Sequence, residues 1–205
     1  MKPDREDLLT LQFLEAIDRQ SDVTQRHLAS ELGVALGLAN SYLKRCLRKG
    51  LIKIRQAPAN RYLYYLTPSG FAEKSRLTAE YLAASFDYYH RAGRALGEAL
   101  GAIEQSGAHR VVFAGVSELA EIASVRAHDF DLEVLGIVDR TTALTRFIGR
   151  PVWSSPAAAA AFDAVLFTDL GADAQANHAW LSDELGAARV FVPAILHNVV
   201  MPSSH

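Results

Sequence analysis

The chain has 205 residues, half of them hydrophobic, and a formal net charge of −2 at pH 7. This length accommodates one large or two small packed domains. The single cysteine excludes an internal disulfide framework and a cysteine-rich zinc site. The start, MKPDRED, is polar, and no stretch reaches the apolar length of a membrane span. We therefore expect a cytoplasmic protein without a signal peptide or a membrane segment.

Charge is distributed unevenly along the chain. Residues 1–76 contain 13 Lys and Arg against 8 Asp and Glu, whereas residues 77–205 contain 8 against 15. No acidic residue occurs between Glu31 and Glu73. This asymmetry predicts two units with different partners.

Three helices are predicted within the first fifty residues. Residues 7–19 place apolar side chains at helical spacing. Thr24 is placed to cap a second helix, which Gly33 ends in a left-handed conformation. A third helix is predicted from about Leu36 to Lys49. Its expected apolar face consists of Leu38, Leu43, Cys46 and Leu47.

The pattern changes to alternation after Gly50. Residues 51–56 and 61–66 are predicted strands of a hairpin with its tip at 57–60. A long helix is then expected to begin at 67–70 and to run to about Gln105. Its apolar residues alternate by four and three: Leu82, Phe86, Tyr89, Gly93, Leu96, Leu100 and Ile103. This spacing fits both a seam between two copies of the chain and a helix packed on its own domain.

Strands alternate with helices beyond residues 106–108. The predicted strands are 110–115, 132–139, 149–153, 163–169 and 189–193, and the predicted helices are 118–128, 156–162 and 174–185. Continuous apolar strands separated by helices are typical of a parallel sheet covered on both faces. The predicted fold class is α/β. It comprises an N-terminal winged helix-turn-helix (1–76), a linking and dimerisation helix (77–107), a Rossmann-like parallel sheet domain (108–198) and a tail (199–205).

Three helices followed by a hairpin are the element order of a winged helix domain. In such a domain, the second helix of the helix-turn-helix enters the major groove of DNA. Asn and Ser can bind base edges, whereas Lys and Arg suit phosphates. The predicted contacts are Gly37, Asn40, Ser41, Lys44, Arg45 and Arg48 on the third helix, and Lys53, Arg55 and Arg61 on the hairpin. The alternative is a basic surface on a protein-binding winged helix.

The segments RHLASELGV (26–34), KGLIKI (49–54) and YLTPSGFAEKSRLT (65–78) resemble MarR-type winged helix regulators, especially those associated with exopolysaccharide genes. The resemblance covers about residues 7–85. It implies transcriptional regulation, usually by dimers that bind double-stranded DNA. One departure is Ala35, where many relatives have a helix-capping Ser.

A candidate ligand site follows the first two strands of the α/β segment. In a Rossmann unit a glycine turn and a helix N-terminus hold a phosphate, and an acid after the second strand binds ribose. The glycine pattern is incomplete, because its second position is Ser117. The candidate ligand-binding residues are Gly115, Val116, Ser117, Glu118, Asp139 and Arg140. The alternative is structural, with Gly115 in a tight turn, Ser117 as an N-cap and Asp139 as a turn residue.

Two resemblances bear on the ligand. The segments 111–123, 132–139, 149–153 and 162–169 resemble the small nucleotide-binding domain of sugar O-acyltransferases, which implies a nucleotide sugar. The segment RVFVPAILHNVVMP (189–202) is similar to the closing segment of the redox repressor Rex, which joins a winged helix to a Rossmann domain and implies NAD(H). We expect a regulator with a nucleotide-type ligand. The alternative class is a nucleotide-sugar-modifying enzyme with a winged helix interaction module.

The sequence contains no recognisable catalytic or metal-binding motif. The seven histidines form no HExxH pattern, and Gly115–Leu119 lacks the last glycine of G-x-S-x-G. Cys46 lies on the third helix, where an apolar core position is favoured over an oxidant sensor. We therefore predict no catalytic residues and no metal ligands.

Overall fold

The computed structural model describes residues 5–20, 24–57 and 61–201. The chain divides into two compact units, Met1–Asp87 and Tyr88–His205. Each unit has a hydrophobic core of its own. Among the described residues, no helix combines the length and apolarity that crossing a membrane requires.

The first unit begins with three helices, α1 (Arg5–Arg19), α2 (Gln25–Glu31) and α3 (Leu36–Arg48). Thr24 caps α2 as predicted, because its hydroxyl accepts a hydrogen bond from the amide of His27 at 3.1 Å. Gly33 follows α2 with a φ of +61°, which is also as predicted. Ala35 precedes α3 and provides no side-chain cap.

The buried face of α3 differs from the predicted one at a single position. Leu43 and Cys46 are buried, but Leu38 is 40% exposed and Ala39 lies in the core instead. The prediction was wrong for Leu38 because residues 39, 43 and 46 recur at helical spacing and leave it about 100° to one side. Burial raises the pKa of the Cys46 thiol, in agreement with its interpretation as a core residue.

Strands β1 (Ile52–Ala57) and β2 (Arg61–Leu66) form an antiparallel hairpin in which Ile52 pairs with Leu66. β1 begins and ends one residue later than predicted. The residues between the strands, 58–60, lie outside the described part of the chain. Most of the predicted hairpin tip therefore has no structural description.

Thr67 and Gly70 connect the hairpin to helix α4 (Pro68–Gln105). The Thr67 hydroxyl donates to the carbonyl of Gly50 at 2.6 Å and accepts from the amide of Gly70 at 3.0 Å. A Cβ atom on Gly70 would lie 1.9 Å from the carbonyl oxygen of Leu51. Only glycine therefore permits this close approach of α4 to the start of β1.

The predicted apolar stripe of α4 divides into two parts. Its later residues Leu96, Leu100 and Ile103 are buried in the core of the second unit, together with Ala92. For these residues the helix packs on its own domain. A Cβ on Gly93 would contact the Arg126 side chain at 3.1 Å, and a Cβ on Gly101 would contact Phe130 at 3.4 Å, so these glycines permit close packing within the same unit.

The earlier residues of the stripe are exposed. Leu82, Phe86 and Tyr89 recur at helical spacing, and Tyr81 and Tyr88 flank them. We call these five residues the α4 stripe. Phe86 is 60% exposed, and the other four residues are between 38% and 46% exposed to solvent among the described residues.

The second unit is built on a six-stranded sheet with the order β5-β6-β4-β3-β7-β8. Its strands are β3 (Arg110–Ala114), β4 (Glu133–Val138), β5 (Arg146–Phe147), β6 (Arg150–Trp153), β7 (Ala164–Phe167) and β8 (Val190–Phe191). All neighbouring pairs are parallel except β5 and β6. The parallel strands follow the doubly wound order, which reverses between β3 and β7.

Helices α5 (Glu118–Arg126), α6 (Ala174–Leu185) and α7 (His197–Val200) complete the unit. Connections between parallel strands are right-handed, so α5 after β3 and α6 after β7 cover opposite faces of the sheet. Both of these strands are almost entirely buried. The α/β fold class and the mostly parallel sheet are therefore as predicted.

Three short elements differ from the prediction. β5 was not predicted, because it has only two residues. Residues 156–162 form no helix beyond the 3₁₀ turn Pro156–Ala158, because consecutive alanines offer no large apolar side chain that would anchor so short a helix. α7 extends to Val200, which is buried, although the tail was predicted to begin at residue 199.

Candidate nucleic-acid interface and ligand crevice

The outward face of α3 carries four of the six DNA contacts that were predicted on this helix. Gly37, Ser41, Lys44 and Arg48 recur at intervals of four and three residues, and all four are exposed. They lie opposite the buried face formed by Ala39, Leu43 and Cys46. The helix therefore presents one continuous stripe with two small residues near its start and two cations towards its end.

Two other predicted contacts on α3 are not presented on this outward face. The Arg45 guanidinium forms an ion pair with the Glu6 carboxylate of α1. The Asn40 Oδ1 atom is buried and has no hydrogen-bond partner in the described part of the chain. Bidentate binding of adenine requires the oxygen and the nitrogen of an Asn amide together. In this orientation Asn40 cannot make that contact.

The hairpin adds further positive charge. Lys53 and Arg55 are exposed and lie on the same face of β1, where they pair with Tyr65 and Leu63 of β2. The backbone of Arg61 begins β2, but its side chain lies outside the described part. Because residues 32–72 contain no acid, the exposed cations of α3 and β1 are not offset by any acidic neighbour from this segment.

The second unit has a crevice at the carboxyl ends of β3, β4 and β7. It lies where the strand order reverses, the usual location of ligands in open α/β sheets. Gly115 follows β3 with a φ of +104°, and its Cβ would lie 2.5 Å from the Cα of Asp169. Glycine is therefore required here by the approach of the loop after β7.

Asp139 organises the loops at this edge. Its carboxylate accepts hydrogen bonds from the amide of Val116 (2.8 Å), the amide and hydroxyl of Thr141 (2.8 and 2.7 Å) and the amide of Thr142 (3.2 Å). Burial by itself would raise the pKa of Asp139, but these hydrogen bonds outweigh it and hold the pKa below its ordinary value. The carboxylate is thus engaged with the chain's own backbone.

Ser117 and Glu118 begin α5 beside this carboxylate. The Ser117 hydroxyl donates to the carbonyl of Thr168 at 2.6 Å and accepts from the amide of Ala120 at 3.3 Å, so it caps the helix. Glu118 is exposed in the first turn. Of the predicted ligand residues, Gly115, Asp139 and Arg140 line the crevice, and Val116 donates to Asp139. The contacts of Gly115, Ser117 and Asp139 are those expected of the structural alternative. Their ligand-binding role stays a prediction.

Arg140 closes the crevice together with residues of α6. Its guanidinium carbon lies 4.8 Å from the centroid of the Trp180 ring, and its Nε donates to the Oδ1 of Asn177 at 2.8 Å. The amide nitrogen of Asn177 donates to the Asp169 carboxylate at 2.6 Å. These four residues line the crevice.

Sequence reasoning identified Arg140 but missed Asn177 and Trp180. They are three residues apart on α6, a spacing that places both on one face of the helix. Their position at the crevice follows from the strand order, which the sequence did not reveal. Within the described ranges, no group of three or more His, Cys, Asp or Glu residues could hold a metal ion.

Comparison with known proteins bears on the first unit. Residues 7–53 match the family model described as winged helix-turn-helix DNA-binding. This match covers α1 to α3 and the start of β1, and it agrees with the fold of the first unit. The search of curated proteins returned no match.

Several solved structures are similar to parts of the chain. MepR, a transcription regulator of the Staphylococcus aureus multidrug efflux pump MepA, is 24% identical over 41% of this chain and 62% of that chain, with a TM-score of 0.36. Streptococcus pneumoniae FabT in complex with DNA is 25% identical over 38% and 56%, with a TM-score of 0.32. PigF with SAH is 14% identical over 92% and 55%, with a TM-score of 0.25. The chain thus spans less than two thirds of each, and TM-scores this low do not establish a shared overall fold.

Replacement of Asp139 by Asn tests the role of this carboxylate. The folded-state pKa is depressed, so the carboxylate stabilises the second unit at neutral pH, and this contribution is lost as pH falls through the folded pKa. Asp139→Asn replaces one carboxylate oxygen by an NH₂ group, which cannot accept hydrogen bonds from the surrounding amide and hydroxyl donors. It is expected to lower the free energy of unfolding by about 1 kcal/mol at pH 7, with a smaller difference from the wild type at pH 3.

Urea unfolding followed by tryptophan fluorescence measures this effect, because both tryptophans, Trp153 and Trp180, lie in the second unit. Asp183→Asn, at an exposed position of α6, is the matched control and should have little effect. An Asp139→Asn deficit of equal size at both pH values contradicts a role for the charge.

Proposed function

We propose that the chain is a MarR-like transcription regulator that binds double-stranded DNA through α3 and the β1–β2 hairpin. The observation that carries this proposal is the exposure of Lys44, Arg48, Lys53 and Arg55 on those two elements, within a segment that has no acid. The family match at 7–53 supports it. The resemblance to regulators associated with exopolysaccharide genes suggests polysaccharide biosynthesis genes as targets, in the cytoplasm.

Phosphate neutralisation explains why these cations would be gathered on one surface. Each Lys or Arg that contacts a phosphate releases a condensed counterion, which makes binding favourable and dependent on salt. Among the predicted DNA-binding cations of α3, Arg45 differs from Lys44 and Arg48, because its ion pair with Glu6 joins α3 to α1. We infer that Arg45 positions α3, while Lys44 and Arg48 contact the DNA backbone.

Substitutions of single cations test the interface. Lys44→Ala is expected to weaken binding to a duplex about tenfold and to reduce the salt slope by about one. Arg55→Glu should weaken binding further, because it adds repulsion from the phosphates. Fluorescence anisotropy of a labelled duplex, titrated at several salt concentrations, measures both quantities.

Arg94→Ala is the matched control, since Arg94 is an exposed cation of α4 within the second unit. Its affinity and salt slope should equal those of the wild type. If Lys44→Ala also binds like the wild type at every salt concentration, α3 does not face the duplex and the proposal fails.

We further propose that the chain forms a homodimer through the α4 stripe. Five large apolar or aromatic side chains are exposed on one helix face, and contiguous exposed apolar surface commonly marks a protein interface. The predicted seam from Leu82 to Ile103 is thereby shortened, because its later residues are buried in the second unit.

Phe86→Arg is expected to convert the dimer into monomers, because a charge would be placed in the middle of the α4 stripe. Sedimentation equilibrium measures the mass. Glu98→Arg introduces the same side chain at an exposed position of α4 beyond the stripe and should leave the dimer intact. A wild-type chain that sediments as a monomer at high micromolar concentration contradicts this proposal.

We also propose that the second unit senses a nucleotide-type ligand, with a nucleotide sugar favoured and NAD(H) as the alternative. The crevice at the strand-order reversal supports the location. Val116, Ser117 and Asp139 hold the loops of this edge together. Arg140 instead contacts the Trp180 ring and the Asn177 amide, and a ligand can replace these side-chain contacts, so the contacts that we propose are Arg140 and Trp180. A guanidinium can bind a phosphate, and an indole ring can stack on a base.

Calorimetry and tryptophan fluorescence with UDP-N-acetylglucosamine and with NADH test this ligand class. A nucleotide sugar is expected to bind and to change the Trp180 emission, and Arg140→Ala should weaken its binding at least tenfold. Arg94→Ala again serves as the control. An absence of heat and of fluorescence change with both compounds removes the ligand proposal and leaves the DNA proposal intact.

A further inference from the structure

The first turn of α3 contains no polar side chain. Residues 33–39 read GVALGLA, and none of these side chains can donate or accept a hydrogen bond. Side chains that can do so begin at Asn40, whose oxygen is buried, and at Ser41, which is exposed. If α3 reads base edges, its leading end cannot do so through side-chain hydrogen bonds.

Two large leucines are nevertheless exposed at this end of the helix. Leu36 is 44% exposed and Leu38 is 40% exposed. Leu36 lies three residues before Ala39 and seven before Leu43, on the side of α3 that packs on the core. Leu38 lies about 200° around the helix from Leu36 and is not part of that core. Leu38 lies three residues before Ser41, so it borders the outward stripe.

The position of Leu38 suggests what would cover it. In a helix-turn-helix the N-terminal residues of the recognition helix reach base edges in the major groove. That groove presents hydrogen-bonding atoms at every base pair, but only thymine adds an apolar group, the C5 methyl. A leucine at the leading end of the helix therefore has one complementary feature among unmodified bases.

We propose that Leu38 determines sequence specificity by contacting a thymine methyl group in the operator. This inference rests on the proposed binding of DNA through α3. It accounts for the apolar first turn, and it assigns the general affinity to Lys44, Arg48 and the hairpin cations. Sequence preference would then depend on this methyl group and on Ser41.

Replacement of thymine by deoxyuridine isolates the methyl group, because base pairing and charge do not change. Duplexes that bind the full chain are selected from a randomised pool. Each thymine of a selected duplex is then replaced in turn by deoxyuridine. At one position in each half-site the wild type should bind about fourfold more weakly, the effect of losing one buried methyl contact.

Leu38→Ala should bind the thymine duplex as weakly as the wild type binds the deoxyuridine duplex, and it should no longer distinguish the two. Leu144→Ala removes an exposed leucine of the second unit and should retain the distinction. Circular dichroism confirms that each variant is folded.

The outcomes separate the two proposals. If the wild type binds thymine and deoxyuridine duplexes equally, with salt-dependent affinity, the methyl contact is overturned and the DNA-binding function stands. If Leu38→Ala still distinguishes the thymine duplex from the deoxyuridine duplex, Leu38 is not the residue that contacts the methyl group. A wild-type chain that binds no duplex at low salt overturns both.

Discussion

The first unit depends on the contact between Gly70 at the start of α4 and the carbonyl of Leu51 at the start of β1. No side chain fits between them, and the Thr67 hydroxyl bonds to both backbones on either side of this contact. The base of the hairpin is thereby fixed against α4, while α3 ends immediately before it at Arg48. The exposed cations of α3 and β1 are consequently held in a fixed arrangement relative to one another. A surface that binds a phosphate backbone requires such an arrangement.

The second unit depends in a similar way on backbone hydrogen bonds at one edge of its sheet. Asp139 holds the turn after β3 and the loop after β4, and Gly115 admits the loop after β7. The residues that resemble a nucleotide-binding fingerprint are thus used to assemble the edge itself. Arg140 and Trp180 lie above this edge, where a ligand could exchange with their mutual stacking contact.

Much of this architecture was predictable from local patterns. Thr24 and Gly33 predicted the ends of α2 because capping and left-handed backbone depend on adjacent residues alone. Leu38 was assigned to the core wrongly, since Leu38 and Ala39 are both apolar and only packing decides which is buried. The role of Leu82 and that of Leu96 could not be separated, because a single periodicity runs through the exposed and the buried part of α4. Asn177 and Trp180 were not predicted, because α6 reaches the crevice only through the strand order, which the sequence does not reveal.

Helix α4 contributes to both units, and this limits where the chain can be cut into separately folding parts. Its first turn packs against the hairpin of the first unit, whereas Ala92, Leu96, Leu100 and Ile103 are part of the core of the second unit. A gene fragment that began at the first strand of the sheet would omit these four residues and leave their neighbours uncovered. A truncation that keeps this core intact must therefore begin before Ala92, so the foldable sheet unit includes part of a helix that the connectivity alone would class as a linker.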